Sequence, residues 1–124
     1  MEPMSIEGTP KTPTVKFDST RGVIEITGRS NPENSREFYR PLMDLLEEYI
    51  KNPGDTTTVN IQLEHFNTSS SKCILDVFKM LEGIYKAKHE VIINWHYEDE
   101  DILEAGEDYK SFTGIPFKMI EVEE

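Results

Sequence analysis

A chain of 124 residues accommodates one domain and leaves little room for a second. Its 13 basic and 24 acidic residues give a net charge of −11, which repels nucleic acids and anionic membranes as main partners; 36% apolar and 10% aromatic content supports a modest core. The lone Cys73 excludes a disulfide framework and a cysteine zinc site, and no apolar run reaches the ~18–20 residues of a membrane span.

Residues 1–7 lack the basic flank and apolar stretch of a signal peptide, so the expectation is a soluble cytoplasmic α/β domain without membrane insertion. Pro3, Gly8, Pro10 and Pro13 make residues 1–13 an extended lead-in, with a candidate short strand at 4–6. Residues 14–17 and 23–28 are β-prone, and Asp18-Ser19-Thr20-Arg21-Gly22 between them is turn chemistry, which predicts a hairpin. Ser30-Asn31-Pro32-Glu33-Asn34 reads as a helix start with Pro32 at the first helical position. Phe38, Tyr39, Leu42, Met43, Leu45, Leu46, Tyr49 and Ile50 then recur at three- and four-residue spacing, predicting a helix over 32–51. Pro41 inside it should kink or split it, because proline removes a backbone donor.

Val59, Ile61 and Leu63 alternate with polar residues, predicting a strand over 57–63. The hydroxyl-rich turn Asn67-Thr68-Ser69-Ser70-Ser71-Lys72 follows, and then Ile74, Val77, Phe78, Leu81, Ile84 and Tyr85 at helical period. Residues 91–97 form a third strong strand, 99–112 an acidic helix, and 117–122 a last strand closed by Glu123-Glu124. A hairpin followed by alternating helices and strands implies one α/β domain over 1–124, a mixed sheet with helices packed on it and right-handed crossovers.

Charge is uneven. Residues 1–89 hold 13 acids and 11 bases, whereas 90–124 hold 11 acids and 2 bases. Seven acids lie between Glu98 and Asp108, but no Asp-x-Asp-x-Asp-Gly loop accompanies them, so a solvated helix with acids at its positive end is preferred to a cation site. His65, His89 and His96 lack metal-ligand spacing, and neither a metal nor another cofactor is expected. Of the adjacent Trp95 and His96, which face opposite sides of a strand, one belongs to the core. Cys73 reads as a buried inert thiol, and Tyr85 and Ile84 as part of the core stripe.

The Asn67–Ser71 turn has two compatible readings. Asn, Ser and Thr are the preferred helix N-caps, so the turn can serve to satisfy free backbone N–H groups. A helix N-terminus also suits a phosphate, so one hydroxyl can be a phosphoacceptor. There is no P-loop, Gly-x-Gly-x-x-Gly, Gly-x-Ser-x-Gly or useful Cys/His pair, and Glu64 and His65, as strand neighbours, should not share a site with Thr68; no enzyme is expected. Asn31, Pro32, Glu33 and Asn34 would adjoin the Thr68 turn if the strands preceding both helices end at one sheet edge. They read either as capping or as partner surface.

Three separated motifs, Gly28-Arg29-Ser30-Asn31-Pro32-Glu33-Asn34-Ser35, Phe66-Asn67-Thr68-Ser69-Ser70-Ser71-Lys72 and Asn94-Trp95-His96-Tyr97, resemble those of the SiaC family of bacterial regulatory phosphoproteins over residues 6–121. The resemblance implies a STAS-like fold, similar to that of anti-sigma-factor antagonists, with Thr68 as the reversibly phosphorylated residue. It implies a Ser/Thr kinase of the histidine-kinase-like ATPase type and a metal-dependent PP2C-like phosphatase as partners. It further implies that the unphosphorylated protein binds and stimulates a diguanylate cyclase, raising cyclic di-GMP and favouring biofilm or aggregation. The partner surface expected around Thr68 comprises Asn67, Ser69, Ser70, Ser71 and Lys72 with Asn31, Pro32, Glu33 and Asn34. The alternative is an anti-sigma-factor-antagonist-like or scaffold protein with another target, in which the Thr68 turn is only a helix cap.

Overall fold

In the computed structural model, which describes residues 3–122, the chain runs β1 (Met4–Ile6), β2 (Thr14–Asp18), β3 (Val23–Ser30), α1 (Ser35–Tyr49), β4 (Thr56–Phe66), α2 (Thr68–Lys86), β5 (Glu90–Tyr97), α3 (Glu100–Thr113) and β6 (Phe117–Glu121). The six strands form one sheet in sequence order. β1, β2 and β3 pair antiparallel, whereas β3, β4, β5 and β6 pair parallel. Asp18 makes the hairpin turn: its Oδ1 accepts from the backbone N–H groups of Thr20 and Arg21 at 3.1 and 3.2 Å. The closing Glu123-Glu124 lies outside the described residues.

Strand alternation sorts the sheet into two faces. Val15, Phe17, Ile24, Ile26, Val59, Ile61, Leu63, Val91, Ile93 and Trp95 are buried on one face, in one core with Leu42 and Leu46 of α1, Ile74, Phe78 and Leu81 of α2, and Ile102 and Tyr109 of α3. Glu25, Thr27 and Gln62 are exposed on the other face. Each parallel connection steps to the next strand in the same direction, so right-handed crossovers put all three helices on one side.

α3 can approach the sheet because residue 106 is glycine. A Cβ there would lie 2.5–2.8 Å from Cδ1, Nε1 and Cγ of Trp95, and the same indole donates from Nε1 to the Ile102 carbonyl at 2.8 Å. Gly114 ends α3 in the left-handed region, at φ 71°.

Several expectations need correction. α1 starts at Ser35, so Pro32 precedes the helix; Asn34 is the cap, its Oδ1 accepting from the Glu37 N–H at 3.1 Å. The Asn34 cap, whose Nδ2 also reaches Glu37 Oε2 at 3.5 Å, outcompetes the proline signal. Pro41 does not split α1, which runs unbroken from Ser35 to Tyr49. Both Pro41 and Glu37, whose carbonyl loses its donor, are exposed, so water can satisfy that oxygen. Tyr85 lies at the margin of the α2 stripe and is exposed, unlike its buried neighbour Ile84. Cys73 is half-buried in the seam between α1 and α2; burial, and then the Asp76 charge, push its thiol pKa up.

Candidate site at the first turn of helix α2

The parallel register sets Ser30, the last residue of β3, beside Phe66, the last of β4. Both strands therefore deliver their helices at the same sheet edge. A register shift between Gly28 and Arg29 pairs Arg29 with His65 and leaves Glu64 and His65 both exposed. Glu64 is engaged by Arg29, Nε to Oε2 at 3.0 Å. Beyond the strand ends the Asn67 N–H donates to the Ser30 carbonyl at 2.9 Å.

Asn67 joins the two helix starts. Its Oδ1 accepts from the Ser70 N–H at 2.8 Å and caps α2, and its Nδ2 donates to Asn31 Oδ1 at 3.1 Å and the Pro32 carbonyl at 3.3 Å. The structure thus brings Asn31 and Pro32 to the Thr68 turn. Asn34 and Glu33 are exposed near the start of α1, whereas the Pro32 ring is buried.

The four consecutive hydroxyls differ sharply in their surroundings. Ser70 is fully buried, at 0% exposure: its Oγ accepts from Ser30 Oγ at 2.7 Å and donates to the Ser30 carbonyl at 3.2 Å. The Ser30 proton is thereby committed, so Tyr39 donates to Ser30 Oγ across 2.6 Å. Ser71 is half-buried; its Oγ lies 2.8 Å from the Tyr109 hydroxyl, which donates to the Ser71 carbonyl at 2.9 Å. Ser69 is exposed, yet its Oγ lies 2.7 Å from Ser35 Oγ. Thr68, the first residue of α2, is exposed, and its hydroxyl engages no other described residue. Burial withdraws Ser70 from the expected partner surface.

The electrostatics favour a negative charge at Thr68. The first turn of α2 contains no acid, and Lys72 is exposed one turn later. A shallow groove of about 370 Å³ between α1 and α2 is lined by Arg36, Ser69, Lys72, Cys73, Leu75 and Asp76. Beneath the turn, burial pushes the Tyr39 and Tyr109 hydroxyls from 10.0 to about 12, so both remain neutral donors near neutral pH.

Sequence reasoning read Ser30 as part of a helix start and Tyr39 as part of an apolar helix face, and gave neither them nor Ser35 and Tyr109 a place at this site. Ser30 and Ser35 lie within the first quoted motif, so their hydroxyls were the available signal. The remaining candidates sit apart: Trp95 is in the core, His96 is half-buried on the opposite strand face, and His89 lies in the α2–β5 turn within 3.3 Å of the Gly54 carbonyl. The acids of the C-terminal segment begin a helix: Asp99 caps α3, with Glu100 and Asp101 in its first turn. Among the described residues, no three acidic, histidine or cysteine side chains cluster to hold a metal, and no helix is long and apolar enough to cross a membrane.

Comparisons with known proteins place this geometry. An uncharacterised protein of Pseudomonas aeruginosa (strain UCBPP-PA14) is 29% identical over 121 residues, 96% of each chain. The structure of apo-SiaC from Pseudomonas aeruginosa superposes with a TM-score of 0.90 at 29% identity, over 97% of this chain and 99% of that one. SiaC in the crystal structure of the diguanylate cyclase SiaD with its activator SiaC, from the same organism, gives 0.89 at 29% identity, over 96% and 99%. The profile of the SiaC family regulatory phosphoproteins matches residues 6–122, and the chain belongs to that family.

Proposed function

We propose that this protein is a non-enzymatic partner-switching regulator, phosphorylated reversibly on Thr68, whose unphosphorylated form binds and stimulates a diguanylate cyclase. The carrying observation is the contrast among the four hydroxyls: only Thr68 is both exposed and disengaged from other described residues. The likeness to SiaC in its complex with the cyclase SiaD supports the choice of target. In this reading a Ser/Thr kinase of the histidine-kinase-like ATPase type adds the phosphate and a PP2C-like phosphatase removes it. The switch acts in the cytoplasm, on cyclic di-GMP and through it on biofilm or aggregation. The docking surface is the pair of adjacent helix starts, with Asn31, Glu33 and Asn34 on one side and Thr68, Ser69 and Lys72 on the other.

The physics of the switch is local. Phosphate adds roughly −1.5 to −2 charge at an exposed helix start. The N-terminus of α2 welcomes that charge, but a partner seated over the turn must desolvate it. The competing view, that the turn is only a cap, is weakened because Asn67 supplies the cap by itself.

Phosphopeptide mass spectrometry on protein purified from the native host, with and without its kinase gene, tests the proposal. A kinase-dependent phosphate on Thr68 is the expected result. Phosphate on Ser69 or Ser71 moves the acceptor, and no phosphate with the kinase active overturns the switch.

A further inference from the structure

Exposure alone does not explain why Thr68 rather than Ser69 would accept the phosphate, since both are exposed. Ser70 is sealed by burial and Ser71 is held by Tyr109, so Ser69 is the competitor that needs restraint. Ser69 Oγ also donates to Asn67 Oδ1 at 3.3 Å, but that oxygen already caps α2 through the Ser70 N–H at 2.8 Å, and the tighter restraint comes from the other helix. Ser35, the first residue of α1, is 2% exposed, and its Oγ lies 2.7 Å from Ser69 Oγ and 3.1 Å from Ser70 Oγ. We infer that Ser35 is a positioning residue that sets acceptor choice, holding the Ser69 hydroxyl inward so that Thr68 takes the phosphate. This rests on the phosphorylation reading above.

The chemistry makes the restraint effective. In the transfer the attacking hydroxyl oxygen forms a bond to the γ-phosphorus of ATP. The bond from that phosphorus to the β,γ-bridging oxygen breaks, ADP leaves, and the hydroxyl proton passes to a base of the kinase. The attacking oxygen needs a free lone pair and a proton free to leave. In the 2.7 Å contact with Ser35, Ser69 commits either its proton or a lone pair. Ser69 must break that contact to react, and Thr68 has no equivalent to break. Ser35 itself is fixed by the Asn34 cap of α1 and by Ser70 in the buried network.

The experiment uses the full chain, ATP and the purified Ser/Thr kinase of the histidine-kinase-like type from the same host, with site-resolved phosphopeptide quantification. In the Thr68→Ala background, Ser69 should carry only trace phosphate. Adding Ser35→Ala should raise Ser69 phosphorylation about five- to tenfold, the population factor of one net hydrogen bond. Ser35→Thr, which keeps the hydroxyl, should hold Ser69 at trace level. Near-ultraviolet circular dichroism of Trp95 reports folding, and Ser35→Cys, with a weakly bonding thiol of similar volume, repeats the measurement if the alanine variant is loose. Equal Ser69 phosphorylation with and without the Ser35 hydroxyl, while Thr68 of the parent chain is phosphorylated normally, overturns the role of Ser35 alone. Absence of phosphate from Thr68 in the parent chain overturns the phosphorylation reading and this inference together.

Discussion

Helices α2 and α3 begin in the same way and carry opposite chemistry. Each follows a parallel strand, and each is capped by a side-chain oxygen: Asn67 accepts from the Ser70 N–H, and Asp99 from the Ile102 N–H. After the cap, α3 places Glu100 and Asp101 in its first turn, whereas α2 places none but hydroxyls there. The positive end of α3 is therefore already compensated by permanent charge. That of α2 remains available to a charge that can be added and removed. In a chain of net charge −11, the proposed phosphate on Thr68 would fall on a helix start that holds hydroxyls and no acid.

The largest expected effect tests whether that availability matters to a partner. Thr68→Asp should weaken cyclase binding by about tenfold or more, and the phosphorylated chain by more than Asp, since Asp carries less charge. Thr68→Ala should bind as the parent does. Titration calorimetry with the cyclase reads both, and equal affinities of the Asp and Ala variants would remove the electrostatic basis of the switch.

Next is the alkaline limit of the fold. Tyr39 ties α1 to the buried Ser30, and Tyr109 ties α3 to Ser71 of α2. Both hydroxyls are raised by burial from 10.0 to about 12, so the folded state favours their neutral forms. The stability they contribute is fully present below pH 10 and is lost as pH rises through 12. Each should account for about 2–3 kcal/mol of that loss. Urea titrations from pH 8 to 12 should show the decline, and it should be shallower in Tyr109→Phe.

Breaking the caps sharpens the comparison further. Asp99→Ala should cost about 1 kcal/mol, the ordinary loss of an N-cap. Asn67→Ala should cost about 2 kcal/mol, because Asn67 also holds Asn31 and the Pro32 carbonyl. Denaturant midpoints measured side by side decide this; equal losses would mean that the bridge between helix starts contributes nothing.

The smallest effect concerns the free protein. Thr68→Asp should stabilise it by about 0.3–1 kcal/mol, and Glu100→Gln should destabilise it by a similar amount, both diminishing with salt. Thermal unfolding at low and high ionic strength would expose the opposite signs.

Strands and helices were legible wherever apolar period ran long, as along Val59, Ile61 and Leu63 or Ile74, Val77 and Phe78. The Asn67–Ser71 turn was legible as a helix start for the same reason. What the sequence concealed depends on register. Ser30 meets Ser70, and Ser35 meets Ser69, only because β3 and β4 pair with a shift after Gly28, a relation no local pattern announces. The start of α1 was misplaced because Pro32 gave a louder local signal than the Asn34 cap that prevails. Exposure of Tyr85 was missed because a residue at the margin of a helical stripe differs from its core neighbours by rotation alone.

The contact between Ser71 and Tyr109 has an optical consequence. The Tyr109 ring lies 5.4 Å from that of Trp95, the only tryptophan of the chain, and its hydroxyl reaches the first turn of α2. Indole emission is sensitive to its immediate packing and polarity. The molecule therefore contains its own fluorophore two contacts from Ser71, in the same helical turn as Thr68, and modification or docking that shifts the start of α2 can be followed in unlabelled protein.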